Sequence, residues 1–251
     1  SWKSKNGQML SEFPEKLSDW EVFTSLGAFE AQLSGKGKVT RTEEIELAGQ
    51  AISHPLLEGG IAISNDFKLN ADHQLVLLTG ANMSGKTTFM RTLGINCVLV
   101  NIGLSPFATE FTMGAIQLYT SMRNTDNLGE SVSSFYAELS RIHILINRIE
   151  GGEPIFFLLD EILKGTNTED RIAGSKALIH QVTNTKSIGI ISTHDIELAQ
   201  VAEAIPRVDN FSFHSEILDE TIDFDYKLKL GACPSFNAHK LMELMGIRFS
   251  E

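Results

Sequence analysis

The sequence predicts an α/β fold with a mixed, mainly parallel sheet flanked by helices. Three short apolar runs, at residues 75–78, 155–159 and 188–192, lack the alternation of a half-exposed strand. Such runs are typical of strands buried on both faces, as in a parallel sheet. Glycine, acidic or polar residues follow each run, and open α/β sheets bind ligands at the carboxyl ends of their strands. We therefore expect the functional side chains at one edge of this sheet.

The first run leads into residues 80–87, whose sequence GANMSGKT matches G-x-x-x-x-G-K-[ST]. A predicted strand precedes the match and a predicted helix follows it, which is the context that this motif requires. Its backbone N–H groups and the helix N-terminus would hold a phosphate chain, with Lys86 on the β- and γ-phosphates and Thr87 on Mg²⁺. The alternative is a glycine-rich turn without a ligand. The candidate nucleotide-binding residues are Gly80, Ala81, Asn82, Met83, Ser84, Gly85, Lys86, Thr87 and Thr88.

The second run ends in two carboxylates, Asp160 and Glu161. At the carboxyl edge of a parallel sheet, Asp160 would hold Mg²⁺ through water. Glu161 would orient and deprotonate an attacking water, as general-base catalysis requires. The alternative is an ordinary acidic junction between a strand and a loop. Its position after a phosphate-binding motif favours the catalytic interpretation.

The third run is followed by Thr193, His194 and Asp195. A histidine just beyond a core strand, at the same sheet edge, can sense a γ-phosphate, although most single histidines have no such role. The polar residues 165–170 lie between Asp160 and this strand. They predict a loop that caps a helix beginning near Glu169.

Together these motifs resemble the ATPase domain of the MutS family of DNA mismatch repair proteins, within the ABC ATPase superclass. Residues 79–88 read TGANMSGKTT, similar to the family's T-G-x-N-M-x-G-K-[ST]-T, and the Asn-Met pair is specific to the family. Residues 159–170, LDEILKGTNTED, resemble L-D-E-x-x-x-G-T-x-x-x-D, and STHD at 192–195 resembles [AS]-T-H. The segments 120–139 and 224–231, with the HP and ND pairs at 54–55 and 65–66, extend the resemblance to roughly residues 15–247.

The resemblance implies an ABC-type P-loop NTPase fold, bound ATP and Mg²⁺, and roles for matched residues. Ser133 matches a serine that contacts the γ-phosphate in the opposite subunit, Tyr226 matches an aromatic residue that stacks on adenine, and His194 matches a switch histidine. Ser131 replaces the glycine that usually precedes the signature serine by two residues, so either Ser131 or Ser133 could make the contact in trans. A second stacking aromatic is expected near residues 61–62, where this chain has none.

Apolar spacing and turn residues predict the remaining elements. Residues 14–29 read as a helix similar to the end of the family's connecting lever, so we assign residues 1–34 to a helical segment and 35–251 to the ABC-type ATPase domain. A loop is expected at 35–38 and a turn at 70–72. Further helices are expected at 88–102, 133–149, 169–182, 196–204 and 235–245, strands at 45–52, 61–69 and 113–120, and an antiparallel hairpin from 211–217 and 222–230.

Composition limits the class of partner. The net charge of −11 and the absence of a basic stripe in the sequence argue against DNA binding by this segment alone. We expect DNA contact through domains that are absent from this chain and would lie N-terminal to it. No apolar run approaches eighteen residues, so no membrane partner is expected. Cys97 and Cys233 lie far apart and outside any C-x-x-C, which predicts reduced thiols and a cytoplasmic protein.

Three functions compete at this point. The first is a MutS-type motor that forms a homodimer, or a heterodimer with a paralogue, and binds ATP between subunits; its role could be mismatch repair, recombination or another DNA transaction. The second is a transporter or chromosome-organising ABC ATPase, which would carry an L-S-G-G-Q sequence that this chain lacks. The third is a nucleotide-binding scaffold, against which the presence of Glu161 argues.

Overall fold

The computed structural model describes residues 2–32, 37–57, 62–81, 83–122, 131–218 and 221–234, and within them it confirms an α/β fold. These residues form a six-stranded sheet, a four-stranded sheet and a two-stranded hairpin, rather than the one sheet predicted. In chain order the elements are α1 (Trp2–Gln32), β1 (Lys38–Thr42), β2 (Leu47–Ile52), β3 (Asn65–Leu69), β4 (Leu75–Gly80), α2 (Lys86–Asn101), β5 (Glu110–Gly114), β6 (Gln117–Ser121), α3 (Ser131–Glu150), β7 (Ile155–Asp160), α4 (Thr168–Thr183), β8 (Ile188–Thr193), α5 (Ile196–Ala202), β9 (Val208–Phe213), β10 (Glu216–Leu218), β11 (Thr221–Asp223) and β12 (Leu228–Leu230).

The six-stranded sheet, here called the central sheet, has the order β12-β9-β4-β8-β7-β6. Its neighbouring strands are parallel except β12, which runs antiparallel to β9. The three apolar runs form β4, β7 and β8, which are buried almost throughout, as predicted. Thr79 pairs with Thr193, and Asp160 pairs with Ser192. The three strands therefore end side by side at one edge.

Both faces of the central sheet are covered. Alternate residues of a strand point to opposite faces. Val76 and Leu78 of β4 accordingly join a core formed with α2 and the four-stranded sheet, whereas Leu75 and Leu77 join a core formed with α3, α4 and α5. Burying one such aliphatic side chain contributes about 1.5–3 kcal/mol. This packing fixes the strand ends that carry the candidate site.

The four-stranded sheet has the order β1-β5-β2-β3 and corrects two predictions. The strand expected at 113–120 is two strands, because the N–H of Gly114 donates to Glu46 O (3.0 Å) whereas the N–H of Gln117 donates to Pro154 O (2.8 Å). β5 thus pairs with β1 and β2, and β6 lies beside β7 in the central sheet. β1 begins where the sequence predicts only a loop. The strand was not predicted because its side chains are mostly exposed and show no buried face.

Helix α1 extends well beyond the predicted 14–29 and contains Pro14 in its interior. Proline is favoured in the first turn of a helix, which is why the sequence-based prediction began the helix at Pro14. Near its end, Glu30 accepts hydrogen bonds from the N–H (2.9 Å) and Oγ (2.5 Å) of Ser105. The boundary after residue 34 remains a prediction. No helix within the described ranges is both long enough and apolar enough to cross a membrane.

The hairpin predicted from 211–217 and 222–230 has the right direction but is interrupted. β9 and β12 pair antiparallel, and β10 and β11 form a separate short hairpin between them. β9 also pairs in parallel with β4, which makes it part of the central sheet. The helix predicted at 235–245 lies outside the described residues. The other predicted elements in the described ranges differ from those observed mainly at their ends.

Candidate functional site

The loop between β4 and α2 is shaped by two glycines with positive φ. Gly80 has φ 147° and Gly85 has φ 107°. A Cβ on Gly80 would lie 2.8 Å from the carbonyl oxygen of Phe213, and one on Gly85 would lie 3.0 Å from the ring of Tyr226. Both positions therefore require glycine, for backbone conformation and for space. Asn82, which the sequence also predicts to bind the nucleotide, lies outside the described residues.

Lys86 is the first residue of α2 and is only 5 % exposed. Its Nζ donates to the carbonyl oxygens of Gly80 (2.6 Å) and Ala81 (3.0 Å). Burial lowers the pKa of Lys86, and the Asp160 carboxylate partly offsets that effect. The structure thus places the predicted lysine inside its own loop, where the loop carbonyls hold the ammonium group.

Asp160 joins the ends of three elements. Its Oδ2 accepts a hydrogen bond from Thr87 Oγ1 at 2.8 Å, and its Oδ1 accepts one from Ser192 Oγ. Ser192 Oγ in turn accepts the N–H of Glu161 at 3.0 Å. The structure therefore brings together both residues predicted to hold a metal. It adds Ser192, which the sequence analysis assigned no role; its position opposite Asp160 on the adjacent strand was the available signal.

The oxygen atoms of Thr87 and Asp160 suit Mg²⁺, which prefers oxygen ligands and commonly takes only one or two carboxylates from the protein. Among the described residues, no group of three or more His, Cys, Asp or Glu side chains is arranged to hold a metal. A Mg²⁺ ion here would need further oxygens from phosphate and water. Ser84 Oγ is also buried without a hydrogen-bond partner among the described atoms, which fits a polar ligand in the loop.

Glu161 is held in a left-handed conformation, with φ 53°. For a residue other than glycine this costs on the order of 1–3 kcal/mol, and the surrounding contacts must offset it. The carboxylate is largely buried, forms an ion pair with Lys164 Nζ, and has Oε1 3.8 Å from His194 Nδ1. The predicted base and the predicted switch histidine therefore lie beside each other.

His194 follows β8, and its side chain is 43% exposed. Burial lowers the pKa of His194. The carboxylate of Asp195 raises it, while Lys164, Arg171 and Lys86 lower it further. These effects together favour the neutral imidazole, which carries one donor and one acceptor nitrogen.

A cavity of about 560 Å³ connects these groups with a second set of residues. Its size lies within the usual range for small-molecule sites. We call its two sides the phosphate end and the base end. The phosphate end is lined by Lys86, Thr87, Asp160 and Glu161, and the base end by Ile52, His54, Ile63, Asn65 and Tyr226.

Tyr226 at the base end is 43% exposed and has φ 50°. Asn65 Nδ2 donates to the carbonyl oxygen of Tyr226 at 3.0 Å, and Asn65 Oδ1 accepts the N–H of Leu228 at 2.8 Å. The sequence identified Asn65 only as part of a motif, and the structure shows that it fixes the segment that presents Tyr226. Where a second aromatic is expected, residue 61 lies outside the described residues and the aliphatic Ala62 lines the cavity.

The start of α3 is described only as backbone, so the contact of Ser133, or of Ser131, with a partner's nucleotide remains a prediction. Further along this helix, Glu138 accepts a hydrogen bond from the N–H of Leu163. Leu163 follows Glu161 in the same turn and is also left-handed, with φ 58°. The sequence analysis missed this link between α3 and the turn that carries Glu161.

The comparisons with known proteins agree on one family. The sequence model of MutS domain V matches residues 76–247. The chain is 29% identical over 246 residues to the DNA mismatch repair protein MutS of Shouchella clausii, covering 95% of this chain and 28% of that protein. It is 31% identical over 197 residues to that of Flavobacterium psychrophilum (74% and 22%), and 25% identical over 247 residues to that of a Thermotoga species (97% and 30%).

The chain thus spans less than a third of the length of these relatives. The domain V match includes the loop around Lys86, the carboxylates Asp160 and Glu161, His194 and Tyr226. It covers well over half of the chain. This protein chain therefore belongs to the MutS family and contains its domain V.

Proposed function

We propose that this chain is the C-terminal, ABC-type ATPase domain of a MutS-like DNA mismatch repair protein and that it hydrolyses ATP. One observation carries the proposal: the glycine-rich loop, Asp160 and Glu161 meet at the carboxyl ends of three adjacent parallel strands. Ligand sites in open α/β sheets form at such an edge. A nucleotide-binding scaffold would need the loop but not a carboxylate placed like that of Glu161.

Phosphate binding would be an exchange of hydrogen bonds. Lys86 would release the carbonyl oxygens of Gly80 and Ala81 and donate to the β- and γ-phosphates instead. The loop N–H groups and the start of α2 would add further donors and partial positive charge. Thr87 and Asp160 would hold Mg²⁺, which when bound neutralises phosphate charge and stabilises the developing charge on the leaving group.

Glu161 would act as the general base. Its carboxylate takes a proton from water, the water oxygen forms a bond to the γ-phosphorus, and the bond between that phosphorus and the bridging oxygen breaks to release ADP and phosphate. Lys164 forms an ion pair with this carboxylate and lowers its basicity, so separation of the pair would favour proton transfer to Glu161. His194, whose Nδ1 lies 3.8 Å from Glu161 Oε1, would donate an N–H to the γ-phosphate and register its departure.

Tyr226 would stack on adenine at the base end, with Ala62 and Ile63 offering only aliphatic surface. Recognition of the base would then depend chiefly on one ring. Base recognition is therefore expected to be looser than phosphate recognition.

We further propose that two such chains, identical or paralogous, form composite sites in which Ser133 contacts the partner's nucleotide. DNA would be bound by other parts of the protein, because this chain carries a net charge of −11 and phosphate contacts need clustered basic residues. Cys97 and Cys233 are buried and are not joined in a disulfide, and a cytoplasmic location is part of the proposal.

The substitution Glu161→Gln tests the proposal. It keeps the size and hydrogen bonding of the side chain but removes the basic oxygen, so hydrolysis should fall by about 10²–10⁴-fold. Affinity for Mg·ATP should stay near the wild-type value, since Lys86, Thr87 and Asp160 remain. Phosphate release and binding of a fluorescent ATP analogue measure the two properties.

The matched control is Glu150→Gln, which changes a glutamate at the end of α3 whose partner is Gln181. It should hydrolyse ATP like the wild type. A Glu161→Gln protein with wild-type hydrolysis would show that Glu161 is not the base. A wild-type chain that binds ATP but never hydrolyses it would favour the scaffold.

A further inference from the structure

An ion pair with two parallel hydrogen bonds lies next to His194. Arg171 Nε donates to Asp195 Oδ2 at 2.9 Å, and the second guanidinium nitrogen donates to Asp195 Oδ1 at 3.0 Å. Both side chains are mostly buried, at 15% and 14% exposed. Arginine and a carboxylate in this fork geometry form one of the stronger and more directional polar contacts in proteins. The sequence motifs gave neither residue a role.

The two residues belong to different elements. Arg171 lies in the first turn of α4, where its N–H donates to Asn167 O at 3.0 Å. Asp195 lies between β8 and α5 and directly follows His194. The pair therefore ties the start of α4 to the loop that carries His194.

The backbone on the far side of His194 is fixed independently. The N–H of Asp195 donates to Thr193 Oγ1 at 3.0 Å, and Asp195 O accepts the N–H of Leu198 at 3.2 Å. With Arg171 holding the carboxylate, the backbone, side chain and following turn of Asp195 are all restrained. His194 is therefore bonded to a residue, Asp195, whose position is restrained. The His194 ring itself is partly exposed to solvent, and its Nδ1 lies 3.8 Å from Glu161 Oε1.

We propose that Arg171 and Asp195 form a positioning pair that holds His194 beside Glu161, which lines the phosphate end of the cavity. In this proposal neither side chain contacts the nucleotide or the attacking water; the pair acts through the placement of the imidazole ring. This inference rests on the proposed ATPase function, because its consequence is a rate of hydrolysis. It also gives the start of α4 a direct mechanical connection to that ring.

Kinetics of single and double variants test the pair. Arg171→Gln and Asp195→Asn should each lower kcat about tenfold, because a misplacement near 1 Å can cost up to about 10²-fold. KM for Mg·ATP should stay within twofold, since the loop around Lys86 is untouched. Arg171→Lys keeps the charge but loses the fork, so its kcat should lie between Arg171→Gln and wild type.

The double variant distinguishes a pair from two separate residues. If the two side chains act together, the protein with both changes should be no slower than the slower single variant, because the second change removes nothing further. The control is Arg148→Gln, which breaks another arginine–carboxylate pair, with Glu153, far along α3. It should leave kcat unchanged.

Titration of His194 supplies a signature that general loosening would not produce. The charged groups facing the ring are Asp195 on its own loop, Arg171 from α4, Lys164 and Glu161 from the turn after β7, and Lys86 from α2. Asp195→Asn removes the carboxylate that raises the pKa of His194, so the pKa should fall. Arg171→Gln removes a cation that lowers it, so the pKa should rise. NMR of histidine-labelled protein, assigned with His194→Gln, measures both shifts.

Two results would overturn the inference while leaving the proposed function intact. In the first, the wild-type protein hydrolyses ATP and each single variant has the same kcat. In the second, the fold-loss of kcat in the double variant equals the product of the fold-losses in the two single variants. A wild-type chain without hydrolysis would overturn the proposed function and this inference together. Thermal melting checks that each variant is folded. If Arg171→Gln does not fold, Arg171→Lys and Asp195→Asn give the kinetic test, and Asp195→Asn gives the NMR test by lowering the pKa of His194.

Discussion

The phosphate end and the base end of the cavity are built in different ways. The phosphate end consists of residues at the end of the buried strand β7 and at the start of α2, and Asp160 accepts hydrogen bonds from two other elements. The base end depends on Tyr226, which is half-exposed on a short segment that Asn65 holds through its backbone. Strand ends give the phosphate end a fixed frame, whereas the base end relies on a few polar contacts.

The largest effect is expected from Lys86→Ala at the phosphate end. It removes the charge that would pair with two phosphates, and hydrogen bonds to charged groups contribute about 1.5–3 kcal/mol each. Affinity should fall at least about a hundredfold for ATP and for inorganic triphosphate alike, as measured by titration calorimetry. The exposed Lys16→Ala on α1 serves as control. Unchanged affinity in the Lys86 variant would refute the phosphate-loop assignment.

Gly85→Ala should affect both ends at once. At φ 107° an alanine is strained, and its Cβ would press on the Tyr226 ring, so the free energy of unfolding should drop by about 1–3 kcal/mol. Gly103→Ala is the matched control: φ is also positive, at 86°, but no described atom lies within 4 Å of its Cβ. Urea denaturation should therefore show a smaller loss for Gly103→Ala. Equal losses would mean that the Tyr226 contact adds nothing.

Tyr226→Ala separates the two ends. Removal of the ring should weaken the binding of adenine nucleotides by about 1–2 kcal/mol, the scale of an aromatic contact. Binding of inorganic triphosphate should not change, because that ligand reaches only the phosphate end. Competition titrations with both ligands measure the difference. If both ligands lose affinity equally, Tyr226 does not contact the base.

The smallest effect is expected at Asn65. Asn65→Asp keeps an acceptor for the N–H of Leu228 but loses the donor to Tyr226 O, whereas Asn65→Ala loses both contacts. Each hydrogen bond contributes about 1 kcal/mol. ATP affinity should therefore decrease from wild type to Asn65→Asp and further to Asn65→Ala. The affinity for inorganic triphosphate should be the same in all three proteins. A reversed order would show that Asn65 does not hold Tyr226 in place.

The same contrast explains what the sequence could predict. The loop of residues 80–87, Asp160 and Glu161 are contiguous with the apolar runs that form β4 and β7, so local pattern and strand direction are enough to place them together. His194 follows from β8 in the same way. These predictions need only the rule that parallel strands present their carboxyl ends at one edge.

The rest depends on partners that are distant in sequence. Asn65 and Tyr226 lie 161 residues apart, and Arg171 and Asp195 lie 24 apart on different elements. Which side chains meet is decided by strand register and loop path, and neither leaves a local pattern. β1 was missed for a related reason: its strand conformation comes from pairing with β5, and its own residues show no buried face.

The hydrogen bonds from Lys86 to the carbonyls of Gly80 and Ala81 have a consequence for the proposed ATPase cycle. The two carbonyl oxygens accept hydrogen bonds from the ammonium group, as phosphate oxygens would, so the loop is closed around a positive charge. In the proposed function, binding would replace one set of acceptors by another and would order little new chain, which would keep the entropic cost of association low. After hydrolysis the same carbonyls would take the ammonium group back as phosphate leaves. The lysine would thus return the loop to its starting shape in each turnover.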